Sequence, residues 1–121
     1  MSTSVGPYTP AVRAGSWWVS SGQIGVRGTP EGPRLVGGGV AAQARQALEN
    51  LASLLGEAGL GWGDVVKTTV FLASVDDYAA FNEVYVGVLG AARPARSVVA
   101  VAGLPLGALV EIEAWARRPA P

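Results

Sequence analysis

Eight apolar residues in the middle of this chain, Val40, Ala44, Ala47, Leu48, Leu51, Leu54, Leu55 and Ala58, recur at helical spacing and fall on one stripe. Gln43, Arg45, Gln46, Glu49 and Asn50 lie off it. A helix of about five turns with one apolar face is marginal alone and must lay that face on another element. The run Val65 to Leu72 (VVKTTVFL), rich in β-branched residues, predicts a strand that can receive it.

The remaining elements follow from punctuation. Val12 to Ile24 reads as strand material around the turn Ala14-Gly15-Ser16, with Trp17-Trp18-Val19 in the second arm. Gly25 to Gly39 holds six Gly and two Pro and reads as a loop. The first helix has no Ser, Thr, Asp or Asn cap at its start, and Gly59 is a fitting terminator. Tyr78, Phe81, Val84, Tyr85 and Val88 predict a second helix, capped by Ser74 or Asp76 and ended by Gly90. Arg96 to Ala102 and Leu109 to Arg117 predict two more strands around a turn, Gly103 to Gly107, that carries Pro105. The order is β-β-α-β-α-β-β in a single domain over residues 1–121. That order implies an α+β fold, two helices packed on one face of a mixed sheet.

Such a sheet has a second face to cover. Along the last strand, alternation places Val110, Ile112, Ala114 and Ala116 on one side and Glu111, Glu113, Trp115 and Arg117 on the other. Arg96, Val98, Ala100 and Ala102 share a face in the strand before it, so apolar residues remain on both sides of the sheet. Only 15% of residues are charged, against about 25% in typical soluble domains. Contact with further copies of the chain would explain both observations. A bias of codon usage toward Ala, Gly and Val is the bland alternative for the low charge.

Composition also restricts the chemistry. Nine Lys and Arg balance nine Asp and Glu, which leaves no basic footprint for nucleic acid or an anionic membrane. With no cysteine and no histidine, disulfides, thiolate or imidazole metal ligands, a Cys nucleophile and a His base are all excluded. Any reaction must use carboxylates, Arg, Lys, hydroxyls and backbone groups. Met1–Pro10 has no targeting pattern, and no apolar run approaches the ~20 residues of a membrane span, so a cytoplasmic protein is expected. Gly37-Gly38-Gly39 and the Gly59 to Gly63 cluster match no phosphate-binding pattern and read as turns.

Six segments occur in an order that identifies a family. They are Ser20-Ser21-Gly22-Gln23-Ile24, the helix Ala41 to Leu51 (AAQARQALENL), Val66 to Phe71 (VKTTVF), Phe81-Asn82-Glu83-Val84-Tyr85, Pro94-Ala95-Arg96-Ser97 and Glu111-Ile112-Glu113-Ala114. Together they resemble the reactive intermediate deaminase A (RidA, YjgF) family from about Gly6 to Arg117. The resemblance implies a chorismate-mutase-like fold, a homotrimer, and ligand clefts between subunits. It also implies hydrolysis of 2-imino acids to 2-oxo acids and ammonia without a cofactor.

The same resemblance assigns residues. Arg96 matches the family's substrate-binding Arg, and its planar guanidinium suits a carboxylate, whereas an unmatched Arg at a strand start more often pairs with a neighbouring carboxylate. Glu111 matches the water-orienting Glu, a base in place of the missing His. Glu113 shares its strand face, so alternation alone does not choose between them. Tyr8, Ser21, Gly22, Asn82, Tyr85 and Val98 match positions that line the cleft. Tyr8 can equally be a surface-packing aromatic, Ser21-Gly22 a simple turn, and Tyr85 a core residue of the second helix. Lys67 reads as a structural or solvated lysine.

The chain also departs from the family. Val98 stands where Cys is common, Arg93 where an apolar residue precedes Pro-Ala-Arg-Ser, Gly103 where an Arg is usual, and the loop 86–93 is short. These changes imply a preference for small aliphatic imino acids, with Arg93 near the cleft tolerating acidic ones. A catalytically silent trimer that binds small carboxylates is the alternative function. Zero net charge and the absence of His argue against an RNA-cleaving role.

Overall fold

A computed structural model describes residues 5–118. Residues 1–4 and 119–121, which the single-domain expectation also covers, lie outside the described residues. The elements are β1 (Ala11–Ala14), β2 (Trp17–Ser20), β3 (Gln23–Ile24), β4 (Val26–Thr29), β5 (Gly32–Leu35), α1 (Gly39–Glu57), β6 (Val65–Leu72), α2 (Tyr78–Leu89), β7 (Ala95–Ala100) and β8 (Val110–Arg117).

The main sheet runs β1-β2-β8-β6-β7, with β3 also paired to β8. The β6–β7 pair is parallel and the others are antiparallel, so the sheet is mixed. The parallel pair exists because α2 returns the chain to the same end of the sheet. Both helices lie on one face. Their apolar stripes supply Ala44, Ala47, Leu48, Leu51 and Leu55 from α1 and Phe81, Val84, Tyr85 and Leu89 from α2. The sheet answers with Val70, Leu72, Val110, Ile112, Ala114 and Ala116, all essentially inaccessible to solvent. Each fully buried Leu, Ile or Phe contributes about 1.5–3 kcal/mol, so this layer carries the fold.

The strand and helix limits match the sequence pattern closely, with one miss. The segment expected as a loop from Gly25 to Gly39 contains the β4–β5 hairpin, in which Val26 opposes Leu35 and Gly28 opposes Pro33. The two-stranded sheet tolerates Pro33, which would be excluded from a central strand. Its turn is closed by Thr29, whose Oγ1 accepts from the Glu31 amide at 3.2 Å. Glycine and proline masked the strands because neither residue shows alternation.

The helix ends also differ in detail. Gly38 holds φ 106° at the start of α1, a conformation costly for any residue with a Cβ, and this replaces a side-chain cap. Ser74 Oγ accepts from the Asp76 amide at 3.2 Å, but caps a short 3-10 turn, Val75–Asp77, that leads into α2.

Two residues off the α1 stripe fasten distant strands to the helix. Gln43 Oε1 accepts from the Leu109 amide at 2.9 Å, just before β8. Asn50 Nδ2 donates to the carbonyls of Val26 (2.9 Å) and Ile24 (3.3 Å). The other face of the sheet is open. It carries Val12, Trp17, Val99 and Trp115, which are 53%, 37%, 44% and 44% exposed. No helix among the described residues is long and apolar enough to cross a membrane.

Candidate active site

The sequence-predicted site residues separate into two groups on opposite faces of the sheet. Glu111 belongs to the open face. It pairs with Ile24 of β3 on one side and Phe71 of β6 on the other. With Tyr8, Ser21 and Gly22 it lines a cleft of about 450 Å³ that also includes Pro7, Gln23 and Pro105. Glu113 faces the same side but does not line the cleft. Strand position thus brings Glu111 to this cleft, a difference between the two that alternation left open.

Glu111 lies against a gap left for it. A Cβ on Gly22 would sit 2.6 Å from Glu111 Oε2 and 2.7 Å from its carboxyl carbon, too close to coexist. The Glu111 side chain thus occupies the space that a side chain at position 22 would need. Burial pushes the Glu111 pKa above the ordinary glutamate range, and the nearby charge of Glu113 pushes it in the same direction. A carboxylate whose pKa is raised is a stronger base once ionised than an ordinary one.

The N-terminal arm closes the other side of this cleft. Ser21 Oγ donates to the Thr9 carbonyl at 2.6 Å, and the Ser21 amide donates to the Pro10 carbonyl at 2.8 Å. The Ser21 hydroxyl proton is therefore committed to holding the arm, with lone pairs left over. Tyr8, the residue before Thr9, is 40% exposed in the cleft, and its hydroxyl accepts from the Val5 amide at 3.4 Å.

Arg96 belongs to the helix face. In β7 it pairs with Thr68, which is fully buried beneath the helices. Its guanidinium carbon lies 4.9 Å from the Tyr85 ring centroid, 5.7 Å from Tyr78 and 6.0 Å from Phe81. Nη2 donates to the Tyr78 hydroxyl at 3.0 Å, a neutral acceptor rather than a carboxylate. The charge of Arg96 is thus held in a cradle of aromatic faces, an arrangement that is attractive without being neutralised.

Several of the other predicted residues make structural contacts. Tyr85 is buried; its hydroxyl is 2.8 Å from Thr68 Oγ1, so it serves the core and the cradle together. Val98 is partly buried against the core and pairs with Val70. Asn82 lies one turn from both Tyr78 and Tyr85 on α2, and its Oδ1 is buried with no hydrogen-bond partner among the described residues. Leaving such an acceptor unpaired costs about 1–3 kcal/mol. Arg93 is folded back on its own loop, with Nη1 donating to the carbonyls of Gly90 and Ala92. Lys67 donates to Ser97 Oγ at 2.9 Å, in line with a structural lysine.

Tyr78 and Phe81, which complete the cradle, were legible only as members of the α2 stripe. Gln23, beside Gly22 in the Ser20–Ile24 segment, and Pro105, from the turn before β8, also line the cleft, although neither stood out as a site residue.

Within one chain the two groups cannot share a small substrate. Register puts Glu111 level with Phe71 and Val99, and Arg96 three residues further along β7. Two strand spacings and three residue rises amount to roughly 14 Å between backbones, and the side chains leave opposite faces.

The sequence matches the family described as Endoribonuclease L-PSP over residues 2–118. The 2-iminobutanoate/2-iminopropanoate deaminase of Mus musculus is 44% identical over 93% of this chain and 82% of its own length. The deaminase of the same name from Homo sapiens is 44% identical over 93% of this chain and 81% of its own. The crystal structure of RidA from an Antarctic Psychrobacter superposes with a TM-score of 0.87 at 42% identity, covering 94% of this chain and 90% of that one. E. coli TdcF with bound serine gives 0.85 at 40% identity, covering 96% and 91%.

Proposed function

This chain belongs to the Endoribonuclease L-PSP family, the family of RidA and YjgF, and from that premise we propose that it hydrolyses 2-imino acids to 2-oxo acids and ammonia. The acting unit is a homotrimer of one-domain chains in the cytoplasm, with each cleft formed between two subunits. The observation that carries this reading is the separation just described. A carboxylate-binding guanidinium and a raised-pKa carboxylate are both present, but one chain cannot bring them to one ligand.

A second copy can. The exposed Val12, Trp17, Val99 and Trp115 supply an apolar face for subunit contact. In the assembled cleft, Arg96 of one subunit faces Glu111, Tyr8 and Gly22 of its neighbour. Arg96 binds the substrate carboxylate through paired N–H donors. The iminium carbon is electrophilic, so water adds to it without a metal. Glu111 accepts a proton from that water as the C–O bond forms, giving a tetrahedral carbinolamine. Glu111 returns that proton to nitrogen and then takes the carbinolamine hydroxyl proton as the C–N bond breaks, which releases ammonia and leaves the 2-oxo acid. The chemistry consumes one water and needs no oxidant, reductant or cofactor. That the similar TdcF structure carries bound serine supports a small amino-acid-like ligand for this chain.

The test is activity and complementation on 2-iminobutyrate generated in situ. At substrate concentrations well below the weakened KM of Arg96→Ala, the Arg96→Ala and Glu111→Gln homotrimers should each show activity far below that of the wild type. Mixed after unfolding and refolding together, random trimers should rebuild about a quarter of the sites, each taking Arg96 and Glu111 from different chains. Mixing that restores nothing removes the intersubunit site. Wild-type chains that bind 2-oxobutyrate but turn over no imine favour the silent binding trimer instead.

A further inference from the structure

We propose that Tyr78 is a positioning residue for Arg96, fixing the direction in which the guanidinium meets the substrate carboxylate. The inference rests on the reading of Arg96 as the carboxylate ligand. Tyr78 opens α2 and is 43% exposed, so its ring contributes little to the core that Phe81 and Tyr85 build. Its hydroxyl instead reaches across to β7 and accepts from Arg96 Nη2 at 3.0 Å.

Arginine carries more rotamer freedom than almost any other side chain, and freezing it on binding opposes affinity. The three ring faces restrict the guanidinium to a layer but exert no directional hold within it. The phenol supplies that direction. Because guanidinium only donates, the Tyr78 oxygen must be the acceptor. A neutral acceptor has a further consequence. A carboxylate in the same place would orient Arg96 and also cancel the charge that recruits the substrate. The phenol orients it and leaves the charge whole.

Tyr78→Phe isolates this role, since it keeps the ring and deletes only the oxygen. The KM for 2-iminobutyrate and the dissociation constant of 2-oxobutyrate should both rise roughly three- to tenfold. Turnover at saturation should stay within about twofold, and the thermal midpoint should not move. In an Arg96→Lys background, where no planar fork exists to be oriented, the same substitution should change neither constant. Wild-type KM in Tyr78→Phe, or an equal penalty in the Arg96→Lys background, overturns the inference. The two readings fail differently. If Arg96→Lys weakens 2-oxobutyrate and Tyr78→Phe does not, only the role of Tyr78 falls. If Arg96→Lys and Arg96→Ala both bind 2-oxobutyrate like the wild type, Arg96 is not the ligand and both readings fall.

Discussion

Arg96 is held by rings and a hydroxyl on the covered side of the sheet, whereas Glu111 is held by a missing side chain on the open side. The first is surrounded by rigid elements: β7 beneath it, α2 above it, and the Tyr85–Thr68 hydrogen bond at 2.8 Å fixing one wall of its cradle. The second fills the space left at Gly22, beneath an N-terminal arm tied down by Ser21. A group that only binds must keep its charge and its direction, and packed aromatics provide both. A group that takes and returns a proton gains basicity from a raised pKa, and partial burial beside a second carboxylate raises it.

The largest expected effect breaks the chemical half. Glu111→Gln should lower turnover on 2-iminobutyrate by ~10²–10⁴-fold with little change in KM, because the lost interaction belongs to the transition state. Wild-type turnover in this variant would shift the role of base to Glu113 or to solvent. Arg96→Ala should show the opposite signature, weaker binding by about 2–5 kcal/mol where the carboxylate pair is desolvated. Steady-state kinetics over a range of substrate concentrations separates the two.

Gly22→Ala should sharpen the comparison by moving Glu111 without changing it. The new methyl takes the space of a flexible carboxylate, which can swing toward solvent, so stability should change by no more than about 0.5 kcal/mol. Turnover should fall roughly tenfold to a hundredfold, the usual cost of a displaced catalytic group. A control is available at Gly25, where a Cβ would meet the Gln43 carbonyl oxygen at 2.5 Å and neither backbone can yield. Gly25→Ala should lower the unfolding free energy by about 1–3 kcal/mol or more. Calorimetry that showed Gly22→Ala melting like Gly25→Ala would make Gly22 a packing residue.

The smallest effect concerns pH. Burial and then Glu113 raise the pKa of Glu111, so the acid limb of kcat/KM should lie above the ordinary glutamate range. Glu113→Gln removes the like charge and should move that limb to lower pH. The stability consequence has a definite sign. Below the ordinary glutamate pKa, folded and unfolded chains both hold the proton and Glu111 exacts no penalty. As pH rises toward the raised folded value, the unfolded chain releases its proton first and the fold loses stability. Glu111→Gln should abolish this loss, so its melting temperature should gain on the wild type as the pH rises above the ordinary glutamate range.

Much of this protein was legible because its signals are local. The α1 stripe, the β-branched run of β6 and the alternation in β8 each repeat over a few residues, and each reports which side faces the core. Glu111 and Glu113 on one face, Tyr85 in the α2 stripe and the glycine ends of both helices all follow from such repeats. The hairpin from Val26 to Leu35 escaped because Gly and Pro erase the alternation that would reveal it. The contacts of Arg93 with its own loop carbonyls escaped because a long cation has many possible partners.

By itself the sequence determined the layers of this fold, its chemistry without His or Cys, and the identity of the charged residues available to act. Tertiary structure alone decided that Arg96 and Glu111 leave opposite faces, that Glu111 rather than Glu113 lines the cleft, and that Tyr78 meets Arg96. The reason is physical. Periodicity is a property of neighbours along the chain, whereas these three outcomes depend on strand register and helix placement between residues far apart in sequence, which only the packed core fixes.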